Sequence, residues 1–214
     1  MPPLNGHRCF SSRSLHEIGA HTSSAFSHGL LRISLENEGA EVDFIHNKVA
    51  FSNLSLNFID YRCSESAILI DGPAMSSCYV IQMTWSGEAK WRLGGMLRCI
   101  EGDSMVVLNP GVPVAFRLEP GYQGMLVSID RRLLGATLAD KLGRRPAQEL
   151  AFLQQSIAMN GQGNAIASMV MSLCANADSD YPTVMQGALS QQVQDMLCSL
   201  IICSLPHNYT EEIN

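Results

Sequence analysis

The run Tyr79-Val-Ile-Gln-Met-Thr-Trp-Ser-Gly87 reads in twos. Tyr79, Ile81, Met83 and Trp85 alternate with Val80, Gln82 and Thr84. A period of two puts alternate side chains on opposite faces of an extended strand, and Ser-Gly then turns the chain. The same period appears upstream, where Leu54, Leu56 and Phe58 alternate with Ser55, Asn57 and Ile59. From Leu30 to Asp130 turn residues recur at short intervals: Asp71-Gly-Pro, Ser86-Gly, Gly94-Gly, Glu101-Gly-Asp, Asn109-Pro-Gly and Glu119-Pro-Gly. Many short strands with tight turns indicate an antiparallel sandwich or barrel.

Outside this region the period is that of a helix. Residues 1–12 read as a loose leader. Ser14-Leu-His-Glu17 has the spacing of a capping box and predicts a helix over Leu15–Phe26. Asp130 caps a predicted helix from Arg131 to Leu142, which Gly143 closes. Ile166, Met169, Val170, Leu173 and Cys174 share one helix face. Thr183-Val-Met-Gln186 is a second capping box, opening a long helix to about Leu205 that Pro206 stops. Along it Met185, Leu189, Val193, Met196 and Leu200 repeat in steps of four and three, with Cys203 next. That stripe suits packing on the strands and a dimer seam alike. The expected divisions are 1–29 (leader and helix), 30–130 (barrel), 131–206 (helical dimerisation region) and 207–214 (start of a linker).

Of the 214 residues 46% are hydrophobic and only 16% charged, against about 25% in typical globular chains. Disorder is excluded, and the sparse charge points to a buried homodimer interface. A net charge of −6 makes the chain by itself a poor nucleic-acid binder. No apolar run approaches the roughly twenty residues that a membrane helix needs. The seven cysteines contain no CxxC spacing and read as reduced, mostly buried thiols of a cytoplasmic protein.

Catalytic spacing is missing. There is no HExxH, no GxSxG and no phosphate loop, and Gly161-Gln-Gly163 is no dinucleotide fingerprint. Metal-dependent barrels use histidine pairs and a carboxylate on their strands, yet no histidine lies between Asn47 and His207. No metal, cofactor or catalytic residue is therefore expected. His46, at the entry to the strands, is a candidate hydrogen-bond donor to a ligand. Trp85 and Trp91 bracket a hairpin and either pack the core or line a cavity. Met83, Met125, Phe58, Phe116, Tyr61 and Tyr79 would complete its apolar wall. Arg92 and Arg117 alternate with apolar neighbours and are expected outside. Facing inward, either would pair with a carboxylate ligand.

The order of these pieces resembles a known family. The quoted phrases are Asn53-Leu-Ser-Leu-Asn-Phe-Ile-Asp-Tyr61, Tyr79 to Gly87, Trp91-Arg-Leu-Gly94, Glu101-Gly-Asp-Ser-Met-Val-Val-Leu-Asn-Pro110, "DRRLLGATLADKLGRRP" and "CSLIICSLPHNYTEEIN". From about residue 10 onward the chain resembles the N-terminal effector-binding and dimerisation region of AraC/XylS-family transcription regulators, in the subgroup with the AraC-binding-like domain. The resemblance implies an α+β fold with a cupin-like antiparallel β-barrel followed by dimerising helices. It also implies a small-molecule effector inside the barrel, aromatic or carboxylated, and promoter DNA bound through a C-terminal helix-turn-helix domain absent from this chain. Two alternatives stand beside that reading. One is a stand-alone cupin-type metalloenzyme lacking the usual His ligands; the other is a dimerisation module without ligand.

Overall fold

The computed structural model describes residues 2–26, 30–93, 96–100, 102–153, 155–179 and 187–213. The period-two region forms strands where the alternation requires them. They are β1 (Arg8–Ser12), β2 (Arg32–Leu35), β3 (Phe44–Phe51), β4 (Leu54–Asp60), β5 (Ile68–Gly72), β6 (Cys78–Ser86), β7 (Ala89–Leu93), β8 (Met96–Ile100), β9 (Ser104–Leu108), β10 (Val114–Leu118), β11 (Gln123–Asp130) and β12 (Ile157–Ala158). All pairings are antiparallel. Seven strands pair in the order β1-β3-β4-β11-β6-β9-β12, and five in the order β2-β5-β10-β7-β8. The fold is thus α+β and cupin-like, built as two sheets rather than one continuous hydrogen-bonded ring.

One apolar core joins the inner faces of both sheets: Ile59, Val80, Val106 and Leu126 from the larger meet Ile33, Ile70, Trp91 and Phe116 from the smaller. A second core lies on the other face of the seven-stranded sheet. There Leu56, Phe58, Tyr79, Ile81, Met83, Val107, Met125 and Val127 pack against helices. Each central strand serves both cores, because successive side chains point to opposite faces.

The helices follow their caps. α1 (Leu15–Phe26) starts with the Ser14 hydroxyl accepting from the Glu17 N–H at 3.4 Å. The Glu17 carboxylate accepts instead from the Ser12 hydroxyl at 2.5 Å, so only half of the box forms. α2 (Arg131–Leu142) starts with the Asp130 carboxylate accepting from the Arg132 N–H at 2.7 Å. Gly143, with φ of 64°, closes it in the left-handed region that glycine tolerates best. α3 (Asn164–Ala177) buries Ile166, Val170, Leu173 and Cys174. α4 (Gly187–Ser204) ends before Pro206, and α5 (Thr210–Ile213) follows it. The capping box at Thr183–Gln186 lies outside the described residues, as does Met185.

Three expectations are corrected. Residues 8–12 are no loose leader: they form β1, hydrogen-bonded to β3, and Leu4 before them is fully buried. The segment after Pro206 is tied to the helical layer. The Asn208 carboxamide holds the Ala151 N–H and the Glu149 carbonyl, and Tyr209 is buried with its hydroxyl on Gln148. Third, the buried face of α4 is offset from the expected stripe. Val193, Leu197, Cys198, Ile201 and Ile202 form it, whereas Leu189 and Met196 are 50% and 57% exposed, Leu200 is partly buried and Cys203 is exposed. Both faces of this helix are apolar, so the spacing alone did not separate them.

Candidate functional site

Between the sheets lies an apolar cavity of about 60 Å³. α1 contributes Thr22 and Phe26. The larger sheet contributes Ile59, Val80, Gln82, Leu108 and Leu126. The smaller contributes Ile70, Val114, Phe116 and Leu118, and Leu31, Tyr61, Met75 and Tyr122 come from connections. Gln82 donates from Nε2 to the Tyr122 hydroxyl at 2.9 Å. Gly124 makes room for that phenol, because a Cβ there would sit 2.4 Å from the Tyr122 oxygen. Burial pushes the Tyr61 and Tyr122 phenols well above their usual range, so both stay protonated.

Several polar atoms at this core have no partner. The Tyr61 hydroxyl, the Thr22 hydroxyl and the Trp91 indole N–H are buried without a hydrogen bond. Trp91 stands one layer back, stacked on Phe116 with ring centroids 6.0 Å apart. An unpaired buried donor costs about 1–3 kcal/mol, so the Tyr61 and Thr22 hydroxyls in the cavity wall mark a place suited to an incoming acceptor.

The candidate ligand residues divide between the faces. Tyr61 and Phe116 line the cavity, and Trp91 supports it. Phe58, Tyr79, Met83 and Met125 do not: they pack in the helix-side core, where Tyr79 donates to the Leu150 carbonyl at 2.6 Å. Trp85 is 40% exposed and borders a separate cleft with Met83, Met125, Met159 and Met171. The correction has one cause. Alternation finds a strand, but both faces of this sheet are buried and apolar, so it does not say which face meets the helices. Ile59, Val80, Gln82 and Leu126 were missed by that single-residue offset. Gln82, a polar side chain inside an apolar run, was the available signal. Arg92 is exposed and Arg117 pairs outward with Glu36 and Glu119, as the alternation expects.

His46 belongs to a different cluster. It is fully buried on β3, with its Nε2 3.2 Å from the Asn57 Oδ1 and its Nδ1 2.8 Å from the His21 Nε2. Asn57 Nδ2 donates to the carbonyls of Ser55 and Leu126 and to the Ser55 hydroxyl, so its Oδ1 is the acceptor. The His46 proton is therefore on Nε2, and Nδ1 presents a lone pair. Burial lowers the His46 pKa to about 4 and also lowers that of His21. Cys9 completes the group: its sulfur and the two ring nitrogens lie within 4.8 Å of one another. Two histidines and a thiol can hold a transition metal. The sequence reading, which expected no metal, did not bring these three together, because they come from β1, α1 and β3.

A profile of the AraC-binding-like domain matches residues 19–202. The chain belongs to that family. No curated protein matches it. Among solved structures it is similar to the AraC-like transcriptional activator CuxR, at 13% identity and a TM-score of 0.63, over 93% of this chain and 71% of that one. It is also similar to apo ToxT K231A from Vibrio cholerae (13% identity, TM-score 0.47, 69% and 54% covered) and to the EutQ protein of Clostridium difficile (9%, 0.32, 44% and 71%). At such identities the likeness to CuxR concerns the fold. The cavity lies wholly within the AraC-binding-like span, whereas Cys9 lies before it.

Proposed function

We propose that this AraC-binding-like domain is the effector sensor of a cytoplasmic transcription regulator and not an enzyme. The observation that carries the reading is the apolar cavity with the unpaired hydroxyls of Tyr61 and Thr22 in its wall. The wall offers donors and a Gln82–Tyr122 pair but no cation. Burying a carboxylate there would be costly, so the effector is a small apolar or aromatic molecule with a neutral acceptor such as a carbonyl or phenolic oxygen. At about 60 Å³ the cavity admits little more than a fragment, so a larger effector enters only as the sheets or α1 yield. Its differential affinity for the closed and widened states then biases the regulator.

In this reading the α4 face of exposed Leu189 and Met196 with partly buried Leu200 seats a second copy, and a separate helix-turn-helix domain contacts promoter DNA. The α4 apolar patch supports the dimer, since large side chains half exposed along one helix mark interaction sites.

The test uses Trp85→Phe protein, in which Trp91 is the sole tryptophan and reports on the cavity. In a panel of aromatic and apolar carbonyl compounds, a binder shifts Trp91 emission and raises Tm. Tyr61→Phe in the same background weakens that binder about tenfold, the worth of one hydrogen bond, while the unliganded protein folds as before. If no compound moves either signal, or Tyr61→Phe binds equally well, the sensor reading falls.

A further inference from the structure

We propose that Cys9, His21 and His46 form a Zn²⁺ site that pins α1 against β1 and β3. Three segments of the chain converge there, and each presents its ligand atom for a stated reason. On β1 the register against β3 slips between Arg8 and Phe10, leaving Cys9 as the extra residue of a bulge. Bulges re-aim side chains, and here the thiol reaches the His46 carbonyl at 3.3 Å. On α1 the His21 ring is held flat on Phe10, with centroids 4.0 Å apart and planes 6° from parallel. On β3 the Asn57 carboxamide fixes the His46 tautomer so that its Nδ1 lone pair points into the cluster. An outer hydrogen-bond acceptor that orients a ligating histidine is common at metal sites, and here the Asn57 Oδ1 fills that place.

The chemistry fits a borderline-soft d¹⁰ ion. A thiolate and two neutral imidazoles match zinc, with Zn–N of about 2.0–2.1 Å and Zn–S of about 2.3 Å. The His21–His46 separation of 2.8 Å must open to about 3.3 Å for tetrahedral angles, and the thiol must swing in by about an ångström. The Cys9 side chain is exposed and free to turn, and the fourth position is left for water. On binding, Cys9 loses its thiol proton to solvent. His21 moves its proton from Nε2 to Nδ1, so one proton is released per ion. Lys48 is the nearby cation; it opposes the incoming charge but favours the thiolate.

The placement gives the site a consequence. α1 carries His21 beside Thr22, and Phe26 both lines the cavity and stacks on His46 with centroids 5.6 Å apart. An ion held by His21 therefore fixes one of the elements that can yield for the cavity to widen. This last step rests on the effector reading, but zinc binding does not.

The experiment titrates Zn²⁺, and Co²⁺ as its coloured stand-in, into tag-free, chelator-treated full chain. Expected are one zinc per chain and a cobalt–thiolate absorption band. Cys9→Ser abolishes the band and weakens zinc at least about tenfold, His21→Asn weakens it similarly, and Cys203→Ser changes neither. Hydrogen exchange of the α1 amides slows with zinc in the parent protein. Tyr61→Phe, which leaves the ligand set intact, binds zinc normally whatever becomes of the effector reading. Substoichiometric binding, or a band that survives in Cys9→Ser, overturns the site. Zinc binding without slower α1 exchange overturns its control of the helix.

Discussion

The two faces of the seven-stranded sheet are built from the same strands and differ in one respect. On the helix side the buried polar groups that bridge to the helical layer are paired, and the Asn47 Oδ1 is the exception. Asn109 exchanges two hydrogen bonds with the Phe152 backbone, at 2.8 and 3.0 Å, Gln194 accepts from the Asn53 N–H, and His207 is held at both ring nitrogens. On the inter-sheet side Tyr61, Thr22 and Trp91 keep unpaired polar atoms beside a cavity. Adjacent residues of β6 face these two worlds: Ile81 and Met83 belong to the packed side, Val80 and Gln82 to the cavity. The inter-sheet face carries the unpaired hydroxyls that line the cavity.

The contrast can be broken by experiments of decreasing size. Ile201→Ala opens a hole in the helix-side core and is expected to cost about 2–5 kcal/mol in urea unfolding, with effector affinity unchanged. A cost below about 1 kcal/mol would mean that the helices are not the stable face. Asn109→Ala strips two partners from the buried Phe152 backbone and is expected to cost about 2–3 kcal/mol.

Acid sharpens the comparison. His207 donates from Nε2 to the Ile202 carbonyl and accepts at Nδ1 from the Tyr209 N–H, so protonation would set two donors against each other. Burial lowers its pKa below the ordinary 6.5. The unfolded chain then binds more protons as pH falls below 6.5, and His207 contributes stability that is full above that pH and lost beneath it. Zinc-free protein should lose stability from pH 6.5 downward, and His207→Gln should flatten part of the slope. The rest belongs to His46, whose pKa is lowered to about 4, and to His21, whose pKa burial also lowers. A slope that the substitution leaves unchanged would remove His207 from this account.

Tyr61→Phe should change unfolding free energy by less than about 1 kcal/mol, or raise it, because the hydroxyl has no partner to lose. A large loss would show that the phenol is already bonded within the fold. Met196→Glu should be the mildest for the folded chain, within about 0.5 kcal/mol, yet shift sedimentation from dimer to monomer. An unchanged sedimentation coefficient would take α4 out of the proposed interface.

Much of the fold was legible in the residues. Turn residues fell where strands end, Asp130 and Gly143 bounded α2 to the residue, and Ser14 began α1. The site was legible only in part. Of the expected wall, Tyr61 and Phe116 line the inter-sheet cavity and Trp91 stands behind it, whereas Phe58, Tyr79, Met83 and Met125 lie on the helix-side face. β1 was missed because Arg8-Cys-Phe-Ser-Ser is mostly polar and exposed, and pairs only because β3 offers an edge.

The sequence by itself determined the strand-rich region, the bounds of α2 and the start of α1, since period, caps and turn residues act within a few positions of one another. The alternation by itself marked strands with one face inside, whereas this sheet is buried on both. Which face would meet helices, and which would enclose a cavity, was decided by the tertiary structure. Two equally apolar faces have the same local pattern, and only the route of the chain after Asp130 distinguishes them. The meeting of Cys9, His21 and His46 was likewise decided there. Their contact depends on a bulge in β1 and on α1 packing beside β3, and neither is encoded by the spacing of the three residues.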